Sequence, residues 1–364
     1  MKPRIIALYL PQYHPFPEND EWWGKGFTEW TNVARARKLF PGHVQPHIPA
    51  DLGFYDLRMP EIREEQAQLA REAGIEGFCY YEYWFGNGRQ LMQRPFEEVV
   101  ESGKPDFPFC LCWANHSWYK KLWDPKNPGK DKLLIEQLYP GEEDYTEHFM
   151  YLLPAFNDKR YIRVNGKLFY IVYDALHFDD VTTFIKTWRR LAKENGLNDF
   201  YFVASDFNSE HREKILSMGF DAIHNVDHLN IYHKSNVFTK VMLTIGRKYL
   251  HIPMIYPYRK AIRHMLHPEC ARRDVIPVIV PNWDHTPRSG ARGLVMTNSD
   301  PKYFKELTLQ ALEMIKDKPE EEQIIILKSW NEWGEGNYME PDLQYGHGYI
   351  EALAEAIQDY SVKD

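Results

Sequence analysis

The chain has 364 residues, 44% of them hydrophobic and 26% charged, enough for one large domain or two ordinary ones. No low-complexity tract or heptad run is present, which excludes a disordered or coiled-coil chain, and a formal charge of -8 argues against nucleic acid as the main partner. Aromatic residues make up 15%, with 11 Trp and 23 Tyr, more than core packing alone requires.

The first apolar run, 5–10, is too short for a signal-peptide core and is ended by Pro11. No stretch approaches the ~20 apolar residues of a membrane span, so the chain as given is expected to be cytoplasmic. Seven more short apolar runs follow, at 77–83, 107–113, 168–173, 200–205, 222–225, 276–281 and 324–328. Helical patterns separate most of them, at 60–73, 142–156, 181–194, 210–218 and 301–316, with a last one at 349–359. Pro60 opens the first helix and Gly74 follows its end, the usual asymmetry of a helix. This alternation predicts an α/β fold, a (β/α)8 TIM barrel forming one domain over 1–364. A doubly wound sheet is the alternative. The segment after the first strand, LPQYHPFPENDEWWGKGFTEW, carries none of the glycine-rich phosphate loop that such a sheet would place there.

Cys79, Cys110 and Cys112 lie inside apolar runs and Cys270 stands alone, as free thiols in a reducing compartment would. With no CxxC pair, no HExxH motif and no nucleotide loop, neither metal nor cofactor is expected. Between the sixth and seventh strands, the stretch from Lys234 to Arg273 holds nine Lys/Arg against one acid, Glu269. Its local charge of +8 leaves -16 for the remainder. It is expected to be a basic helical insert, either simply solvated or facing an anionic partner. An acidic polysaccharide, a lipid-linked pyrophosphate donor or the inner membrane surface would each qualify.

In a barrel, the residues after each strand converge on one rim, where such folds place their sites. The first strand supplies Tyr9, Gln12, His14 and Trp30; the second, Tyr83 and Trp84; the third, Trp113, Asn115 and Trp118. Tyr173 closes the fourth, Asp206 the fifth, and Trp283 with Asp284 the seventh. Asp206 is equally suited to cap the following helix. The eighth strand, IIIL, runs into KSWNEWGEGNYMEPD, where Asn331, Glu332, Trp333, Glu335 and Glu340 mix acids with indoles around Gly334 and Gly336. Sugar chemistry needs such a set: one carboxyl to protonate a leaving oxygen, another to handle a nucleophile, and flat rings to stack on pyranose faces. Trp113, Trp118, Trp283 and Trp333 are the expected platforms. The bland alternative is a solvated acidic turn over a tryptophan-rich core.

Segments 9–33, 42–85, 107–118 and 329–342 closely resemble the WbsX-type family, which is grouped with glycoside hydrolase family 99-like proteins. The resemblance covers essentially the whole chain. It implies a (β/α)8 barrel acting on glycans, often encoded beside bacterial surface-polysaccharide genes. It also implies retaining cleavage through a 1,2-anhydro sugar. Glu332 would correspond to the base on the sugar 2-hydroxyl and Glu335 to the acid/base at the glycosidic oxygen. The chain departs from the family 99 pattern at Gly334, where that pattern carries histidine, so mannose preference is not implied. Spacing alone leaves the route open, because carboxylates three apart on a helical turn sit ~5–6 Å apart and so also suit covalent retention. Two other readings stand beside a hydrolase or transglycosidase. A sugar-nucleotide-dependent transferase of O-antigen or capsule fits the family's genetic setting but lacks a DxD motif at a strand end. A non-catalytic glycan-binding protein would have no reason to keep both glutamates.

Overall fold

The computed structural model describes residues 3–120, 132–226, 231, 237–249 and 251–362. Eight parallel strands form the central sheet. They are β1 Arg4–Tyr9, β2 Gly77–Glu82, β3 Phe109–Trp113, β4 Lys167–Val172, β5 Phe200–Asp206, β6 Ala222–Asn225, β7 in two pieces (Val275–Ile276 and Val278–Ile279), and β8 Ile324–Leu327. Neighbours pair in chain order, and β8 pairs back onto β1 through Arg4↔Ile324 to Ala7↔Leu327.

The ring closes across Pro277. Val275 and Ile276 pair with β6, whereas Val278 and Ile279 pair with β8. Proline has no N–H to give to a ladder, but its carbonyl accepts the Ile326 N–H at 3.0 Å, so the strand breaks without opening the barrel. β8 is buried throughout and β1 from Ile5 onward, as expected of a parallel sheet covered on both sides.

Helices Pro60–Glu72, Glu142–Phe156, Val181–Glu194, Pro301–Ile315 and Gly348–Ser361 form within two residues of the predicted bounds. The predicted helix at 210–218 is a 3-10 turn, Ser209–His211, running into Arg212–Ser217. Helices Pro17–Trp23, Glu29–Arg35 and Arg94–Ser102 were not predicted. The first two lie in the long connection after β1 and roof one side of the barrel mouth.

The basic insert needs correction in one respect: it is not purely helical. After helix Val237–Tyr249, strand Met254–Pro257 pairs in parallel with Leu294–Thr297, a segment that follows β7. Its last two bases also leave the rim. Arg272 pairs with Asp274 at 2.7 Å and Arg273 with Glu322, both at the amino end of the barrel. A cavity of about 700 Å³ there is lined by these pairs together with Lys167 and Asp221. That is the end opposite the acidic motif. Lys234 lies outside the described residues.

Candidate active site at the carboxyl rim

The acidic motif folds as a tight hairpin beyond β8. Asn331–Glu332 pairs antiparallel with Asn337–Tyr338, and Trp333–Glu335 forms a 3-10 turn between them. The two glutamates therefore stand on a turn within a hairpin rather than on a helix. Gly336 closes the turn at φ +53, and a side chain there would lie 2.7 Å from Asp284 Cβ and 2.8 Å from its nitrogen. Gly336→Ala is expected to cost about 2–4 kcal/mol of stability, from left-handed strain plus a clash with backbone, measurable by denaturant titration.

Three contacts fix the hairpin to β1. The Leu10 N–H donates to Asn331 Oδ1 at 2.8 Å, Asn331 Nδ2 donates to the Leu10 carbonyl at 3.1 Å, and Trp330 N–H donates to the Leu8 carbonyl at 2.8 Å. Tyr13 adds a fourth tie, donating its hydroxyl to the Asn331 carbonyl at 2.7 Å and accepting the Trp333 N–H at 2.9 Å.

Glu332 and Glu335 share one cation. Arg288, on the short helix Thr286–Ser289 after β7, donates to Glu332 Oε1 at 2.6 Å and to Glu335 Oε1 at 2.8 Å. Its Nε donates to Glu29 Oε2 at 3.0 Å, so a single guanidinium ties together three carboxylates, two from the hairpin and one from the connection after β1. Glu335 also has Lys328 Nζ at 3.8 Å and His285 Nε2 at 3.5 Å. Gly334 explains how this group fits. A Cβ there would collide with Glu29 Oε2 and lie 2.9 Å from Arg288 Nε. The glycine that departs from the family 99 pattern is thus the residue that leaves room for the Glu29–Arg288 pair.

The unequal cations split the two acids. Burial pushes the Glu332 carboxyl up to about 7, with the charges of Glu335 and Glu29 adding to it against Arg288 and Lys328. Burial pushes Glu335 upward too, but Lys328, His285 and Arg288 outweigh it and hold that carboxyl well below the usual range. Burial also works against the charge on Arg288, and Glu29, Glu332 and Glu335 overcome it, keeping the guanidinium ionised.

Around this group the rim gathers several predicted residues. Gln12 Nε2 donates to the Tyr83 hydroxyl at 3.2 Å. Burial and then Glu332 raise the Tyr83 phenol, and burial and then Glu335 raise Tyr173. Trp118 is half-buried and meets Tyr83 edge-on at 5.3 Å.

Other candidates are placed as scaffold. Tyr9 donates to Gln66 at 2.6 Å beneath the rim, and His14 is buried beside Phe16. Trp30 donates to the Tyr55 carbonyl at 2.7 Å. Trp84 stacks on His148 and donates to Asp144 at 3.1 Å, and Trp113 donates to the Trp84 carbonyl at 2.9 Å. Asn115 donates to the Asp174 carbonyl at 2.8 Å. Asp206 accepts the Asn208 N–H at 3.0 Å, and it is Asn208 that caps the next turn. Asp284 accepts from His43, Gln45 and Thr286, anchoring the 43–47 loop. Glu340 accepts from Tyr55, Gln66 and Trp333, and burial pushes it up to about 7.

The expectation of four open indole platforms is corrected at three of them. Trp113, Trp283 and Trp333 are buried, Trp333 being stacked on Tyr338 at 3.7 Å. Hydrophobic, ring-bearing residues next to a strand serve the core as readily as a cleft, and sequence alone does not separate the two. Arg288 and Glu29 stand far from the acidic motif in the sequence, and Lys328, at the start of that segment, reads simply as the end of a strand. Gly334 carried the one usable signal.

Compared with known proteins, residues 5–353 match the family model described as Glycosyltransferase WbsX. A protein of Xanthomonas campestris pv. campestris strain B100, described as "Uncharacterized protein WxcX", is 32% identical over 357 residues, covering 97% of this chain and 49% of that protein. The chain thus spans about half the length of the curated relatives it matches. Among solved structures, the GH99 endo-alpha-mannosidase from Bacteroides thetaiotaomicron superposes with a TM-score of 0.59 at 14% identity, covering 99% of this chain and 98% of that one. A "Glycoside hydrolase-like protein" gives 0.61 at 15% identity, covering 98% and 94%. At such identities these likenesses speak for the fold. The chain belongs to the WbsX glycosyltransferase family, built on a TIM barrel of the kind seen in GH99 glycosidases.

Proposed function

We propose that this chain is a glycan-active enzyme in which Glu332 and Glu335 break, or exchange, a glycosidic bond with retention. The observation that carries the reading is the pair of buried carboxyls joined by one guanidinium at the barrel's carboxyl rim, with proton affinities driven apart by unequal cations. Glu332 takes the proton of the sugar 2-hydroxyl as that oxygen closes on the anomeric carbon. Glu335 gives its proton to the departing glycosidic oxygen. A 1,2-anhydro sugar results, and water or an acceptor hydroxyl opens it while the two protons return.

In the ligand-free arrangement the proton favours Glu332, the reverse of what the first step needs. A sugar bound between the acids reverses this only if it loosens Lys328 and His285 from Glu335, the first cations that hold its proton off, while Arg288 stays with Glu332 and holds that carboxyl ionised.

The family's name favours a second reading, transfer from a sugar nucleotide. Incubation with bacterial surface polysaccharides and, separately, with nucleotide sugars plus glycan acceptors tests both. New reducing ends support the acid-pair reading. Nucleotide release that depends on acceptor, with no reducing ends from any polysaccharide, overturns it in favour of the second.

A further inference from the structure

Helix Val237–Tyr249 turns an apolar stripe to solvent. Val237, Val241, Ile245 and Tyr249 recur every fourth residue and are 77%, 48%, 42% and 66% exposed. The side turned toward the protein instead carries Leu243, packed on the core, and Gly246, where a Cβ would lie 3.2 Å from Ile252. A helix facing only water puts its polar side outward.

The charge along this stretch of the sequence is of one sign. From Lys234 to Pro268 the sequence has no Asp or Glu, while Lys240, Arg247 and Lys248 fall within the helix and Arg259, Lys260 and Arg263 follow it. The last three are exposed. The remainder of the chain is strongly acidic, so an anionic surface would be attracted here and repelled elsewhere. The insert leaves from the carboxyl end of β6 and is tied by Met254–Pro257 to Leu294–Thr297, just beyond the helix that carries Arg288. It therefore sits at the barrel end that holds the acid pair.

We propose that helix Val237–Tyr249 docks the protein on an anionic lipid bilayer. Its apolar stripe lies among the acyl chains near the headgroups, and the surrounding Lys and Arg side chains rest on lipid phosphates. Among the described residues no helix is long and apolar enough to cross a membrane. The contact is peripheral and holds the barrel mouth close to the bilayer.

The test is sedimentation of the protein with vesicles of phosphatidylethanolamine containing phosphatidylglycerol, against vesicles of phosphatidylcholine alone. Binding is expected only to the former and to weaken as salt is raised. The double variant Val241→Ser/Ile245→Ser should bind about 10-fold more weakly or worse. Neutralising Arg247, Lys248, Arg259 and Lys260 to Gln should cost about 5-fold for each base that reaches the surface. The four native cysteines are buried, so an Ile245→Cys variant can be labelled with a polarity-sensitive dye, whose emission should shift to the blue on vesicles.

No sedimentation, undiminished binding by the serine pair, or an unshifted dye on sedimenting protein would each overturn the proposal. So would equal capture by soluble polyphosphate in place of vesicles, which would mark a site for charge alone. The melting temperature of each variant shows whether it is folded. None of these measurements involves a glycan, so they stand or fall apart from the enzymatic reading.

Discussion

Glu335→Gln is expected to lower kcat/KM on a natural glycan by about 10²–10⁴-fold, the usual contribution of a positioned acid. Aryl glycosides with acidic phenol leaving groups should lose far less, because their departing oxygen needs little protonation. Glu332→Gln should depress both substrate classes alike, since no leaving group replaces the oxygen that must attack the anomeric carbon. Both variants keep the shape of the side chain and its place on Arg288, so melting temperatures near that of the parent separate chemistry from folding. Equal losses on both substrates in the Glu335 variant would remove it from the acid role. If Glu332→Gln alone spared the activated substrates, the two roles would have to be exchanged, as the ligand-free proton affinities by themselves favour.

Arg288→Met should be the most damaging substitution for stability. It leaves Glu29, Glu332 and Glu335 buried together without their shared cation. Breaking a buried ion pair from one side typically costs about 3–5 kcal/mol. The cost should depend on pH with a definite sign. In the parent, Glu335 sits below its unfolded value and adds stability that is present above about pH 4.3 and lost as pH falls through its folded value. Glu332, raised to about 7, works the other way, and its penalty grows as pH climbs from about 4.3 toward 7. Without Arg288 both carboxyls shift upward. The folded state then binds more protons than the unfolded one, and stability falls as pH rises. Urea titrations of parent and variant at pH 5 and pH 8 should show the larger difference at pH 8. A difference independent of pH would mean that Arg288 acts through packing and not through the carboxylates.

Gly334 joins these two results to the sequence. Its departure from the family 99 pattern was legible as a letter, but its meaning was not. Only the approach of Glu29 and Arg288 shows that the missing side chain makes room for an ion pair. The tryptophans teach the opposite lesson. Trp113 and Trp333 stand where a platform would, yet Trp113 packs against Phe178 and Phe184 and Trp333 against Tyr338. The helix Arg94–Ser102 carries end signals, Pro95 near its start and Gly103 after it at φ +71, but nine residues show too little period to stand out from a loop.

The barrel was legible in the order of the amino acids. A parallel strand covered on both faces must be apolar along its whole length, so runs such as 324–327 are visible without knowing their neighbours. The same order also offered Glu332 and Glu335 as the candidate acids, because a motif within six residues is local by nature. Tertiary structure alone decided what surrounds them. Arg288 reaches Glu332 across 44 positions and Glu29 across 259, and such meetings arise only when β7, β8 and the loop after β1 close on one rim. Charge pairing between distant segments leaves no periodicity behind. The proton affinities of the two acids follow from burial and from those distant cations, so the same closure of the barrel sets them as well.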